Sequence, residues 1–157
     1  MATLAVFSIL TVAAAGAFNT SQDALNWNYH ALALQKELRR TLSTMAQEIR
    51  ESSPSSPAPI TTGTNAITFQ IPSSVAGNAV TAWTQITYAL GTDNRVTRTS
   101  NNQTTTIGTD VATLSFTYPV NPMTAPRTVQ IQITGTRTTL KRTITRTVTG
   151  QVVLRNP

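Results

Sequence analysis

LNWNYHALALQKELRRTLSTMAQEIRES, from Leu25 to Ser52, is written in a helical period. Leu25, Leu32, Leu38, Leu42, Met45 and Ile49 follow one another at spacings of seven, six, four, three and four, which sets them along one broad stripe of an α-helix. Gln35, Lys36, Glu37, Arg39, Arg40, Gln47, Glu48 and Arg50 lie between them as a wet face. Lys36 and Arg40 beside Glu37 add a little local charge pairing. No proline precedes Pro54, and the run from Ser52 to Pro59, SSPSSPAP, combines turn formers with residues that cannot continue a helical ladder. The helix is therefore expected to end there.

Toward the start, the uncharged stretch Met1 to Gln22 opens with MATLAVFSILTVAAAGAF, interrupted only by Thr3, Ser8 and Thr11, whose hydroxyls can bond back to helical carbonyls. No charge appears before Asp23. At 1.5 Å per residue this stretch is roughly 33 Å long, the thickness of a bilayer's hydrocarbon. One helix of about 50 residues results, far beyond the ordinary globular length. Leu38, Leu42, Met45 and Ile49 are expected to back a sheet, while Leu4, Val6, Phe7, Ile9, Leu10, Val12 and Phe18 are expected to bury themselves in lipid or in neighbouring copies. Gly16 opens GAFNTS, a stretch of poor helix formers that either melts locally or is tolerated inside a bundle. A secretory signal peptide is disfavoured, because nothing basic precedes the apolar run, although Ala15, Gly16 and Ala17 supply small residues.

After Pro59 the period changes to two. Ile67, Phe69 and Ile71 alternate with polar residues, as do Ile86, Tyr88 and Leu90, then Leu114, Phe116 and Tyr118, then Val129, Ile131 and Ile133, then Val148, Val152 and Leu154. Threonine fills most outward positions, as a β-branched residue suits a pleated surface. Turn signals stand at Pro72 to Gly77, Gly91 to Asn94, Ser100 to Asn102, Gly108 to Asp110 and Pro119 to Pro126. The Thr-rich SNNQTTTIGT and TGTRTTLKRTITRTVTG read as strand edges and loops. The expected fold class is α+β: a long N-terminal helix on an antiparallel sheet, with residues 1–53 as helix (1–22 membrane or filament core, 23–53 amphipathic), 54–64 as linker and 65–157 as the β domain.

The 157 residues hold 39% hydrophobic side chains, enough for one modest core, and no cysteine, so packing and strand pairing must hold the β domain together. Net charge is +6, and every charged residue after Asp110 is basic: Arg127, Arg137, Lys141, Arg142, Arg146 and Arg155. Such a stripe reads as a solvated strand face or as an attractor of DNA, an anionic membrane or an acidic polymer, with Arg137, Lys141, Arg142 and Arg146 as the phosphate contacts.

Catalytic groups are scarce. His30 is the sole histidine, beside Tyr29 on the helix, and reads as an interfacial or packing residue. Asp23, Glu37, Glu48 and Glu51 are scattered along the helix, and Asp93 and Asp110 fall in turns. No phosphate-cradling glycine loop is present. Neither an enzyme nor a cofactor is implied. Trp83 lies on the strand face opposite Ile86 and Tyr88, where it packs locally or meets another subunit.

MATLAVFSILTVAAAGAF resembles the hydrophobic helix of type IV pilins and type II secretion pseudopilins. LQKELRRTLSTMAQEIRES is similar to the amphipathic half of that helix in minor pseudopilins of the J type and minor pilins of the W type. ITYALGTDNRVTRT, VATLSFTYPV and VVLRNP resemble their hairpin and late strands. The resemblance implies a minor filament subunit that primes or caps assembly for protein export, adhesion, motility or DNA uptake. It implies other pilins or pseudopilins as partners in a helical filament, and a prepilin peptidase acting on the complete precursor. It further implies a bacterial inner-membrane location by a single span, with the β domain in the periplasm or outside the cell. Family members begin with a basic leader, a peptidase site and a Phe-led stretch containing a glutamate, so Met1 is expected to be an internal position. Many also carry a proline where Gly16 stands. The absence of cysteine and of acids after Asp110 sets the chain apart from disulfide-closed major pilins and from calcium-binding major pseudopilins.

Overall fold

A single helix, α1 (Ala2–Glu51), runs 50 residues without a break in the computed structural model. The structure describes residues 2–52, 61–62, 65–76, 79–117, 128–139 and 142–154, with the backbone alone described for residues 2–10 and 61–62. The helix closes at Ser52, whose backbone N–H and hydroxyl both donate to the Ile49 carbonyl, at 3.1 and 2.6 Å. It passes through Gly16 unbroken, and Thr20 Oγ1 donates to the Gly16 carbonyl at 2.9 Å. The side chains of Leu4, Val6, Phe7, Ile9 and Leu10 lie outside the described residues, as does linker 54–64 apart from Thr61 and Thr62.

The membrane span expected at the start of α1 is corrected: among the described residues no helix is long and apolar enough to cross a membrane. The single-pass inner-membrane location goes with it. The physical reason lies in composition. In the part of the expected span whose side chains are described, from Thr11 to Gln22, only Val12 and Phe18 are large and apolar, while Thr11, Asn19, Thr20, Ser21 and Gln22 are polar and the alanines and glycine contribute little transfer energy.

The strands form two antiparallel sheets where one was expected. Sheet A joins β1 (Thr61–Thr62), β2 (Ala66–Ala76), β3 (Ala79–Leu90), β4 (Val96–Ser100) and β5 (Gln103–Gly108) in sequence order. Sheet B joins β6 (Val111–Thr117), β7 (Thr128–Thr138) and β8 (Thr143–Val153), again in sequence order. The segment Thr109–Asp110 steps from one sheet to the other. Strand β5 occupies sequence expected to be strand edges and loops, while β4 falls in the second half of the hairpin that the resemblance implied for ITYALGTDNRVTRT. Pro72 to Ala76, expected as a turn, continues β2 with register shifts on either side of Ser74. Proline is accommodated there because β1 reaches only Ile67 and Thr68, leaving that side of β2 without a ladder to feed. Tyr118 and the Pro119–Pro126 turn lie outside the described residues.

The inner faces of both sheets meet α1. Ile67, Phe69, Ile86 and Tyr88 from sheet A, with Leu114, Phe116, Val129, Ile131, Ile133, Ile144 and Val152 from sheet B, enclose Leu34, Leu38, Met45 and Ile49 of the helix. Leu42 is half-buried against the same cluster. The helix stripe differs from the expected one at its upper end: Leu25 and Leu32 are exposed, while Ala31 and Leu34 are buried and Trp27 is half-buried. Leu32 and Leu34 stand about 200° apart around a helix, so only one of them can face the sheets.

Three strand glycines let the helix settle closely. A Cβ at Gly108 would stand 2.5 Å from Thr41 Oγ1; one at Gly135 would meet Leu38 Cδ2 at 2.8 Å, and one at Gly150 would meet Leu42 Cδ2 at 2.8 Å. The β4–β5 hairpin turns on Asn101 and Asn102, both at positive φ (49° and 60°) between the paired Ser100 and Gln103. Two left-handed residues in a two-residue loop make a mirror-image turn that favours Asn-Gly. Asn102→Gly is therefore expected to stabilise the fold by about 0.5 kcal/mol, seen in thermal denaturation as a rise in Tm of about 1–2 °C, and Asn102→Val to lower it.

Candidate functional site

The N-terminal half of α1 projects beyond the sheets and carries an apolar face. Phe18, Leu25, Tyr29 and Leu32 are all exposed, Phe18 at 64% and Tyr29 at 72%. At 100° per residue these four positions fall within about 60° of one another, roughly opposite the line of Leu34, Leu38, Met45 and Ile49. The helix thus has two apolar faces, one packed on its own sheets and one turned away. Val12 is exposed at 74% but stands off this second stripe. The ring of Tyr29 meets that of His30 edge-on, with centroids 5.8 Å apart.

Besides the apolar core, two carboxylates that the sequence disguises as wet-face residues tie the helix to the sheets. Glu48 reaches the inner face of sheet A, where Tyr88 Oη donates to its Oε2 at 2.6 Å and Arg98 Nε donates to Oε1 and Oε2 at 3.0 and 2.9 Å. Burial, then the hydrogen bond to Glu48, pushes the Tyr88 phenol well above its ordinary range, and the hydrogen bond to Glu48 raises the Arg98 guanidinium further. About three turns earlier on the same side, Glu37 reaches the junction of the two sheets. Its Oε1 accepts from the Thr109 N–H at 3.1 Å and from the Thr109 hydroxyl, and its Oε2 accepts from Arg137 Nη2 at 3.3 Å. Arg137 Nε also donates to Asp110 Oδ2 at 2.7 Å. Asp110 holds a positive φ of 56° and offers its carbonyl to the Thr136 N–H at 2.8 Å, so side chain and backbone both fasten the sheet-to-sheet step.

These contacts redistribute the basic stripe. Arg137 pairs in register with Ile144, and Arg146 with Gly135, which places both on the inner, helix-bearing face of sheet B. Arg137 is neutralised by two carboxylates. Arg146 lies over the Trp27 ring, 5.5 Å from its centroid, a cation–π contact tying β8 to the helix. Arg142 is exposed beside Thr139, and Lys141 lies outside the described residues. The outer face of sheet B carries Thr134, Thr136 and Thr138 paired with Thr147, Thr145 and Thr143 instead.

No protein-family model, curated protein or solved structure matches the chain. Its geometry has to speak for itself. Among the described residues, no group of three or more His, Cys, Asp or Glu side chains is placed to hold a metal ion. The acidic residues that come together, Glu37 with Asp110, do so around the Arg137 guanidinium, an arrangement that fastens a helix.

The tethers left one trace in the sequence that residue type alone concealed. Glu37 and Glu48 are separated by about three helical turns, a spacing that returns both to one side of α1. Their partners Tyr88, Arg98, Asp110 and Arg137 come from distant strands, and no local pattern pairs them.

Proposed function

We propose that this chain is a structural subunit of a filament of the pilin or pseudopilin kind, joined to neighbouring subunits through the projecting half of α1. The observation that carries this reading is the exposed stripe Phe18, Leu25, Tyr29 and Leu32, on a helix whose other apolar face is already spent on its own core. Burying such a stripe against similar helices would yield about 1.5–3 kcal/mol per large side chain, set against an association cost of about 4–15 kcal/mol. One such contact is marginal. A helix that touches several neighbours at once clears the cost, which favours an extended assembly over an isolated dimer. A role in priming or capping suits a subunit whose β domain faces outward.

The alternative of a binding module whose basic last third captures DNA or an acidic polymer draws less support, because Arg137 and Arg146 are engaged on the inner face. Analytical ultracentrifugation of the full chain, with electron microscopy of the heavier species, tests the assembly reading. The wild type should associate as concentration rises, and Leu25→Glu with Leu32→Glu should remain monomeric with unchanged circular dichroism and Tm. A wild type that stays monomeric at every concentration, alone and with pilin-type helices added, would sink it.

A further inference from the structure

The outer face of sheet A holds a second candidate surface, and nothing in the assembly reading uses it. Cross-strand register places Thr68 opposite Thr87, Gln70 opposite Gln85, Pro72 opposite Trp83, Thr87 opposite Thr99 and Thr99 opposite Thr104 on that face. Not one of these residues is charged, in a chain whose net charge is +6. Hydroxyls there already pair with one another, Thr68 with Thr87 at 3.0 Å and Thr99 with Thr104 at 2.9 Å. Beside them Gln85, Thr87, Thr99, Ser100, Asn101 and Asn102 line a shallow depression of about 230 Å³. Trp83 stands one pleat repeat from Gln85 on the same face, about 6.8 Å along β3. Gln70 Oε1, across the ladder from Gln85, is buried without a hydrogen-bond partner.

We propose that this face binds a neutral polysaccharide, with the indole of Trp83 as a stacking platform for one sugar ring and the amides of Gln85, Asn101 and Asn102 as hydrogen-bonding partners of its hydroxyls. The absence of charge excludes the electrostatic attraction an anionic polymer would need, while amides and hydroxyls match the donor and acceptor pattern of a polyol. An amphipathic indole offers an apolar surface to the C–H face of a pyranose. The depression is smaller than the ~300–1,000 Å³ of drug-sized pockets, so it takes one or two rings of a longer chain.

Isothermal titration of the full chain with maltohexaose, cellohexaose and chitohexaose, at low and high salt, tests the proposal. At least one hexasaccharide should bind saturably with a Kd that salt does not change. Trp83→Ala should weaken it about tenfold or more, and Gln85→Glu, an exposed change that leaves the core untouched, should weaken it severalfold. Circular dichroism and Tm check that each variant is folded. Binding of none of the three sugars, or binding unaltered in both variants, overturns the proposal. So does binding that collapses as salt rises, which would assign it to the arginines.

Discussion

Glu48→Ala is expected to lower the stability of the fold by about 2–3 kcal/mol, a fall in Tm of about 4–12 °C for a chain of this size. The substitution leaves the Arg98 guanidinium and the Tyr88 hydroxyl facing the helix with nothing to bond. The estimate sits below the 3–5 kcal/mol typical of breaking a fully buried pair, because solvent reaches about a quarter of both side chains (26% and 24%). Tyr88→Phe should cost less, about 1 kcal/mol, since it removes one hydrogen bond and leaves the ion pair intact. The same contact has an alkaline signature. Tyr88 is held protonated in the folded state above its ordinary value of 10.0. The unfolded chain therefore releases this proton first as pH rises. The contribution is complete below about pH 10 and is lost as pH climbs beyond it. Chemical denaturation across this range should show a decline that is shallower in Tyr88→Phe. Wild-type stability in Glu48→Ala would mean that apolar packing alone seats the helix.

Gly108→Val should be comparably damaging, by about 2–3 kcal/mol, and the damage should be relieved from the other side of the contact. A Cβ at this position would lie 2.5 Å from Thr41 Oγ1, 2.9 Å from Cγ2 and 3.3 Å from Cβ. Thr41 is buried and β-branched, so it has few rotamers to retreat into. Its hydroxyl also lies within hydrogen-bonding distance of the Glu37 carbonyl at 3.0 Å and the Ile107 carbonyl at 3.2 Å. Pairing Gly108→Ala with Thr41→Ala should cost clearly less than the sum of the two single changes, because the pair removes the clash while each alone leaves a collision or a void. Urea denaturation of the four proteins in the cycle measures this coupling. Strict additivity would place the helix farther from β5 than the structure does.

The long helix was legible because leucines at helical spacing and a Pro/Ser stop admit little else. Five strands were legible because Ile, Phe, Tyr and Val alternate with Thr. What remained hidden has particular causes. Strands β4 and β5 carry Thr on their outer face, and β4 presents Arg98 at an inner position where a strand normally shows an apolar residue. Alternation of apolar residues therefore gave no signal for either, and only the resemblance pointed to a hairpin at β4. ALAL at Ala31–Leu34 offers two leucines to two nearly opposite faces, and a sequence pattern has no means of choosing between them. Glu37 and Glu48 looked solvated because an acid on an amphipathic helix usually is. Their inward roles exist only once Arg98 and Arg137 arrive from strands far along the chain. The apparent membrane span took its large apolar residues mainly from Leu4 to Leu10, whose side chains lie outside the described residues; from Thr11 to Gln22 it is uncharged but mostly alanine and small polar residues, and absence of charge is a weaker property than apolarity.

The two carboxylate tethers also have a mechanical meaning. They fix α1 at points about 16 Å apart along its axis, one on each sheet system, so the helix can neither slide nor roll without breaking both together. A tug on the projecting end is carried as shear shared between two parallel attachments. A twist applied there turns the whole β domain with it. A displacement imposed on the tip is thus passed to the β domain through these two attachments as well as through the packed core.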